Sequence, residues 1–177
     1  MKYLVVSDIH GSLYYANKIL ELIKKENIDK VILLGDLYYH GPRNPLPKEY
    51  NPKEVCNILN SIKDIILCIK GNCDAEVDEM ISEFQFNQNI LLDINNKKFM
   101  FTHGHKYNID NKVDNIDVLV YGHFHTGFIK KENDVIYINS GSISLPKNDT
   151  KNSYLVIDEQ SIYLKDLDNN IIDSIEF

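Results

Sequence analysis

Disulfide stabilisation has almost nothing to work with in this sequence. Its 177 residues include three cysteines, Cys56, Cys68 and Cys73. An odd number with no CxxC pair points away from a disulfide framework and towards free thiols in a reducing compartment. Long apolar runs are missing as well. The opening run meets a carboxylate at Asp8, too soon for a signal-peptide core, and no later run approaches the roughly 20 residues that cross a bilayer. A cytoplasmic protein with no membrane partner is therefore expected. Surplus positive charge is also absent: 19 basic residues stand against 26 acidic ones, a net charge of −7. Neither a nucleic-acid polymer nor an anionic membrane suits that balance, although a small phosphate ligand is still admitted. Repeats, linkers and low-complexity stretches do not occur. The length, with 44% hydrophobic and 25% charged residues, fits one domain over residues 1–177 with a core that needs no staples.

What is present is a series of short apolar runs. Residues 3–6 read as a buried strand that ends in Ser7-Asp8-Ile9-His10-Gly11-Ser12. Leu13, Ala16, Ile19, Leu20 and Ile23 then recur at helical spacing, with Ser12 as the cap. A second strand over 31–34 ends in Gly35-Asp36-Leu37, completing a βαβ unit with a right-handed crossover. Residues 38–52 hold all but one of the five prolines and form a long loop, a place where function concentrates. Pro52 opens a helix carrying Val55, Ile58, Leu59 and Ile62. A third strand over 65–69 ends in Lys70-Gly71-Asn72-Cys73-Asp74, and a helix is expected over 75–84. Beyond residue 90 the pattern turns to β: a hairpin over 90–94 and 97–102, strands over 118–121 and 135–139, and a terminal meander over 153–157, 162–164 and 171–175. The class is α/β in the first half and mostly β in the second, an α+β arrangement overall.

Five of these runs end in a glycine-bearing loop that holds a potential metal ligand: Asp8 and His10, Asp36, Asn72, His103 with His105, and His123 with His125. In open α/β sheets, sites form beyond the carboxyl ends of the strands, so such loops can converge. Asp8 and His10, like His123 and His125, are two residues apart, which in extended backbone places both on one face. Imidazole, carboxylate and amide donors without an obligatory thiolate suit manganese, iron, cobalt, nickel or zinc in a catalytic site. About seven donors exceed what one ion takes. They suffice for two divalent ions sharing a carboxylate, a pair able to activate water and steady a phosphoryl displacement. Taken singly, each residue has a plainer reading: Asp36 and Asn72 as turn caps, Cys56 and Cys68 as core, 139–142 as a turn packed under the site.

These motifs, in their order and spacing, resemble the calcineurin-like metallophosphoesterases, and most nearly the YfcE-type bacterial phosphodiesterases. The resemblance rests on Asp8-x-His10, Gly35-Asp36, Gly71-Asn72-Cys73-Asp74, His103-Gly104-His105 and Gly122-His123-x-His125. His40-Gly41-Pro42-Arg43-Asn44 and Gly141-Ser142 extend it to nearly the whole chain. It implies a four-layer α-β-β-α sandwich. It places Asp8, His10 and His125 on one ion, Asn72, His103 and His123 on a second, and Asp36 between them, with manganese the first choice of metal. The implied reaction is hydrolysis of a small phosphodiester by a metal-bridging hydroxide, with Asp36, Asn72 and His123 as catalytic residues. Many relatives carry histidine directly after the asparagine; Cys73 stands there here, which disfavours phosphomonoesters with poor leaving groups. Arg43, His40, Cys73 and His105 are the expected substrate contacts, Arg43 through a bidentate grip on phosphate. Two alternatives accompany this reading: a phosphomonoesterase, and a protein-binding scaffold such as the retromer subunit of this fold, whose ligand set is degraded. Self-association into a homo-oligomer is left open.

Overall fold

The computed structural model describes residues 1–177. The runs β1 (Tyr3–Val6), β2 (Lys30–Leu33) and β3 (Ile66–Ile69) lie side by side in parallel, because α1 (Leu13–Glu26) and α2 (Pro52–Ser61) cross over between them. Both helices start where the sequence caps them. The Ser12 hydroxyl accepts from the Tyr15 amide, and the Asn51 side chain accepts from Glu54 beside Pro52. The helix expected over 75–84 is shorter, α3 (Glu76–Ile81), because the chain must turn back to add β4 (Phe86–Asn87) beside β3. Antiparallel strands β10 (Ser153–Ile157), β11 (Ser161–Asp166) and β12 (Ile171–Glu176) extend the sheet from the other side of β1. The resulting order is β12-β11-β10-β1-β2-β3-β4.

The second sheet, ordered β5-β6-β7-β9-β8, is built from β5 (Ile90–Ile94), β6 (Lys97–Phe101), β7 (Val118–Tyr121), β8 (Phe128–Glu132) and β9 (Val135–Asn139). The edge strand β8 was not among the expected elements. Its Phe-Ile-Lys-Lys-Glu run has too little apolar content to read as a strand, and it is only half-buried. Strands buried on both faces explain the continuous apolar runs. Leu4, Val6, Val31 and Leu33 pack under Ala16, Ile19, Val55 and Leu59 of the helices. Val5, Ile32 and Leu34 meet Phe99, Phe101, Val118 and Val120 of the second sheet. Each such side chain contributes roughly 1.5–3 kcal/mol by leaving water. The outer face of the second sheet is thinner. Ile109, Val113 and Ile116, in a segment without helix, cover Met100, Leu119, Tyr121 and Tyr137 there. Two packed sheets with helices over the first thus put the carboxyl ends of β1, β2, β3, β6, β7 and β9 at one edge. No helix is long and apolar enough to cross a membrane.

Candidate metal centre and its crevice

At that edge the chain departs from strand geometry immediately. Asp8, His10, Asp36, His123 and His125 all adopt left-handed backbone, with φ of 56, 51, 56, 66 and 60°. The i, i+2 pairs do converge, but not through the extended backbone that their spacing suggested. Single left-handed residues reverse the chain at these five positions, though not at Asn72 or His103, a strained conformation for non-glycine residues that the surroundings must hold. They do so with hydrogen bonds between neighbouring loops. The amides of Asp8 and His10 donate to the carbonyls of Gly35 and Asp36 at 3.1 and 2.9 Å. Ser142 and Ser144 hydroxyls both donate to the Asp8 carbonyl, at 2.8 and 2.7 Å. The turn over 139–142 thus packs beneath the site and helps to fix it.

The side chains form two groups with Asp36 between them. Asp8 Oδ1 lies 3.5 Å from His10 Nε2 and 3.2 Å from His125 Nε2. His103 Nε2 lies 3.0 Å from Asn72 Oδ1 and 3.3 Å from His123 Nδ1. Asp36 reaches both groups, with Oδ2 3.8 Å from His10 Nε2 and Oδ1 3.5 Å from His103 Nε2. The far ring nitrogens decide what these contacts are. Nδ1 of His10, His103 and His125 points at the backbone carbonyls of Tyr39, Leu34 and Leu145, at 2.7, 2.7 and 2.5 Å. A carbonyl only accepts, so each Nδ1 carries a proton and Nε2 is the nitrogen left facing inward, able to offer a lone pair to a cation once the ring is neutral. His10 Nε2 then faces His125 Nε2 at 3.2 Å. Asp8 Oδ1 is fully buried with no hydrogen-bond partner. Acceptors crowded together and an orphaned carboxylate oxygen are a cost unless a cation sits among them. The donor set therefore fits divalent metal.

The titration behaviour agrees with that demand for positive charge. Burial works against the Asp8 carboxylate, yet the imidazoles of His10, His125 and His103 hold it well below the ordinary range. Burial likewise lowers His103, but Asp36 and Asp8 outweigh it and push the ring up to about 9. His123, half-buried and beside His103, is lowered to about 4 by desolvation and by that neighbour, and stays neutral.

A crevice of about 390 Å³ opens onto this centre. His10, Asp36, Asn72, Cys73, His123 and His125 form its floor, and Tyr39, Gly41, Pro42, Arg43, Asn44 and Lys147 its outer wall. Of the expected substrate contacts, Arg43 and Cys73 line the crevice, and His40 and His105 do not. The His40 ring packs against Tyr39 and Tyr50, with centroids 4.8 and 5.3 Å away. His105 is exposed behind the metal ligands, 5.4 Å from His103 and 6.1 Å from His123. The Cys73 thiol is pushed up to about 12 by burial and by Asp36, so it remains protonated.

Three groups that shape the site had no assigned role. Asp74 accepts from the amides of Asp36, Leu37 and Gly71 at 2.8, 2.8 and 2.7 Å, fastening two ligand loops together. Ser7 donates to Asp8 Oδ2 at 2.6 Å, and the His123 amide donates to the same oxygen at 2.9 Å, joining the two sheets. Lys147 enters the crevice wall. Asp74 stood in plain view in the Gly-Asn-Cys-Asp run, but nothing in sequence separates a loop staple from a surface carboxylate.

The comparisons with known proteins agree with this geometry. Residues 1–161 match the model of the calcineurin-like phosphoesterase superfamily domain. The chain is 37% identical to Phosphodiesterase YfcE of Escherichia coli strain K12 over 163 residues, 89% of this chain and 88% of that protein. It is 29% identical to Phosphodiesterase MJ0936 of Methanocaldococcus jannaschii, over 80% of this chain and 83% of that protein. Among solved structures, the E. coli phosphoesterase Yfce superposes with a TM-score of 0.96 at 34% identity, covering 99% of both chains.

Proposed function

The chain belongs to the calcineurin-like phosphoesterase superfamily and is a metal-dependent phosphoesterase, and we propose that the ester it cleaves is a small phosphodiester, at a centre for two cations. The observation that carries this reading is the arrangement of acceptors. Three histidines locked to backbone carbonyls through Nδ1 leave Nε2 facing Asp8, Asp36 and Asn72. Asp8, His10 and His125 would hold one cation; Asn72, His103 and His123 would hold the other, with Asp36 shared. Divalent ions supply two things there: acidity for an attacking water, and positive charge for the phosphoryl oxygens. Manganese is the first choice, with iron, zinc, nickel or cobalt as substitutes.

The residues of the chain do the rest. Asp36 is fixed for sharing between the groups, because the Cys73 amide donates to its Oδ1 at 2.8 Å. Neutral His123 and the Asn72 carboxamide present acceptors from the crevice floor. A thiol where a histidine would offer a ready proton favours diesters with good leaving groups over phosphomonoesters. The crevice is of small-molecule size, and no nucleic-acid polymer is expected at so acidic a chain. A reducing cytoplasm suits its three free thiols. The scaffold alternative is disfavoured by the full set of donors.

The test is hydrolysis of bis(4-nitrophenyl) phosphate by chelator-treated protein. Activity should return with Mn²⁺ and be lost in Asp36→Asn. Absence of hydrolysis with every one of the five metals would overturn the reading.

A further inference from the structure

Arg43 is the only arginine in the sequence, every other basic residue being lysine. It is exposed, it forms no ion pair, and it lines the crevice. Lys147 shares all three properties. Their places differ. Arg43 is at the tip of a tight turn, in which the Asn44 amide returns to the Gly41 carbonyl at 3.3 Å and the Asn44 side chain to the His40 carbonyl at 2.8 Å. Gly41, at the foot of that turn, faces Cys73: a Cβ built on it would lie 3.4 Å from the thiol. Arg43 therefore rises on the Asn72–Cys73 side. The Lys147 amide donates to the His125 carbonyl at 3.0 Å, which puts Lys147 on the His125 side. Two unpaired cations thus line the crevice wall from different loops, one on the turn facing Cys73 and one fastened to His125.

Two divalent ions, less the charges of Asp8 and Asp36, would leave enough positive charge to balance one phosphodiester anion, so the reacting group does not need these side chains for charge balance. A diester carries a second ester group beside its leaving group, and Arg43 and Lys147 line the wall of the crevice that such a group would meet. We propose that they select a phosphodiester whose ester substituent carries its own anionic group, a carboxylate or a further phosphate. This rests on the phosphodiesterase reading and names the substrate class within it. Carboxylate and phosphate both suit a guanidinium's paired N–H groups, while an ammonium acts as a point charge.

The experiment keeps the leaving group constant and varies only the charge of the other ester. Three Mn²⁺-dependent substrates serve: 2-carboxyethyl 4-nitrophenyl phosphate, ethyl 4-nitrophenyl phosphate and 4-nitrophenyl phosphocholine. The expected KM is lowest for the carboxylate, about five- to tenfold below the ethyl ester, and highest for the choline ester, with kcat nearly constant. The ratio should shrink towards one in Arg43→Ala or Lys147→Ala, and also as salt is raised. Replacing the carboxylate by a phosphate distinguishes the two anions, the phosphate giving the larger ratio if a second phosphate is the natural group. Equal KM values across the series would overturn the inference, as would variants that raise all three KM values by the same factor. Either result leaves the phosphodiesterase reading standing. That reading fails instead if none of the three esters is hydrolysed.

Discussion

Gly122 and Gly71 stand where a methyl group has no room. A Cβ on Gly122 would lie 1.9 Å from Ser7 Oγ and 2.8 Å from Asp8 Oδ2; one on Gly71 would lie 2.1 Å from Asp36 Oδ1. Neither glycine has a positive φ, so space alone explains them. Gly122→Ala must displace the Ser7–Asp8 hydrogen bond from a rigid neighbourhood. A loss of about 1–3 kcal/mol in urea denaturation is expected, together with weaker Mn²⁺ binding by calorimetry. Unchanged Mn²⁺ affinity would show that the clash is absorbed elsewhere. Cys73 makes a finer prediction. The Asn72 amide nitrogen donates to its Sγ at 3.3 Å, and that bond keeps the carboxamide oxygen turned towards His103. Cys73→Ala should weaken Mn²⁺ binding about tenfold, a usual effect of losing a residue that orients a ligand. Cys73→Ser, which still accepts, should retain the affinity. If serine and alanine behave alike in a Mn²⁺ titration, the thiol does not orient Asn72.

Among the elements, what the sequence disclosed follows from what a strand must be. Residues 3–6 and 118–121 are buried on both faces, so their whole length is apolar and their ends are abrupt. The candidate ligands lie just past those ends, where the apolar pattern breaks off, and so are legible in the sequence. The half-exposed β8 and the two-residue β4 carry no such signature. Nor does left-handed backbone at Asp8 or His123, which is imposed by contacts from distant loops. Asp74 is the same kind of case, and it can be tested. Its carboxylate accepts three amides while buried, and burial and then Asp36 push it up to about 6. Asp74→Asn turns one oxygen into a donor facing a donor, with an expected loss of about 1–3 kcal/mol in thermal or urea unfolding. Asp166 governs the turn between β11 and β12 and gives the opposite pH sign. It accepts from the amides of Asp168 and Asn170 and from Lys151. Burial alone would raise it, but Lys151 and Asn170 bring it down to about 2. A carboxyl lowered on folding stabilises the protein above its unfolded pKa and loses that effect as pH falls through the folded one. Wild-type stability should therefore drop between about pH 4 and pH 2 more steeply than that of Asp166→Asn. Parallel urea midpoints across that range would remove Asp166 from the account.

Over the whole molecule, the candidate metal centre draws its donors from both sheets. One group draws Asp8 and His10 from the first sheet and His125 from the loop after β7; the other joins Asn72 from the first sheet to His103 and His123 from the second. Without cations, the seam keeps hydrogen bonds such as His123 amide to Asp8 Oδ2, but the buried Asp8 Oδ1 has no partner and the inward nitrogens of His10 and His125 face each other, a cost the native fold carries. With cations, the same contacts become ligation that spans both sheets and exists only when they are assembled. The unfolded chain keeps the donors but not their convergence, so binding should favour the folded state by mass action. At free Mn²⁺ one hundred times its dissociation constant, one such site contributes about 2.7 kcal/mol. Chelator-treated protein should accordingly melt well below the Mn²⁺-loaded form, with a midpoint that climbs as the logarithm of metal concentration. Asp36→Asn should lose most of that climb, since its one side chain reaches both groups. Asp173→Asn, on the exposed strand β12, should keep it. A melting temperature indifferent to Mn²⁺ in the wild type would mean that the donors do not hold the ion across the seam, whatever their geometry suggests.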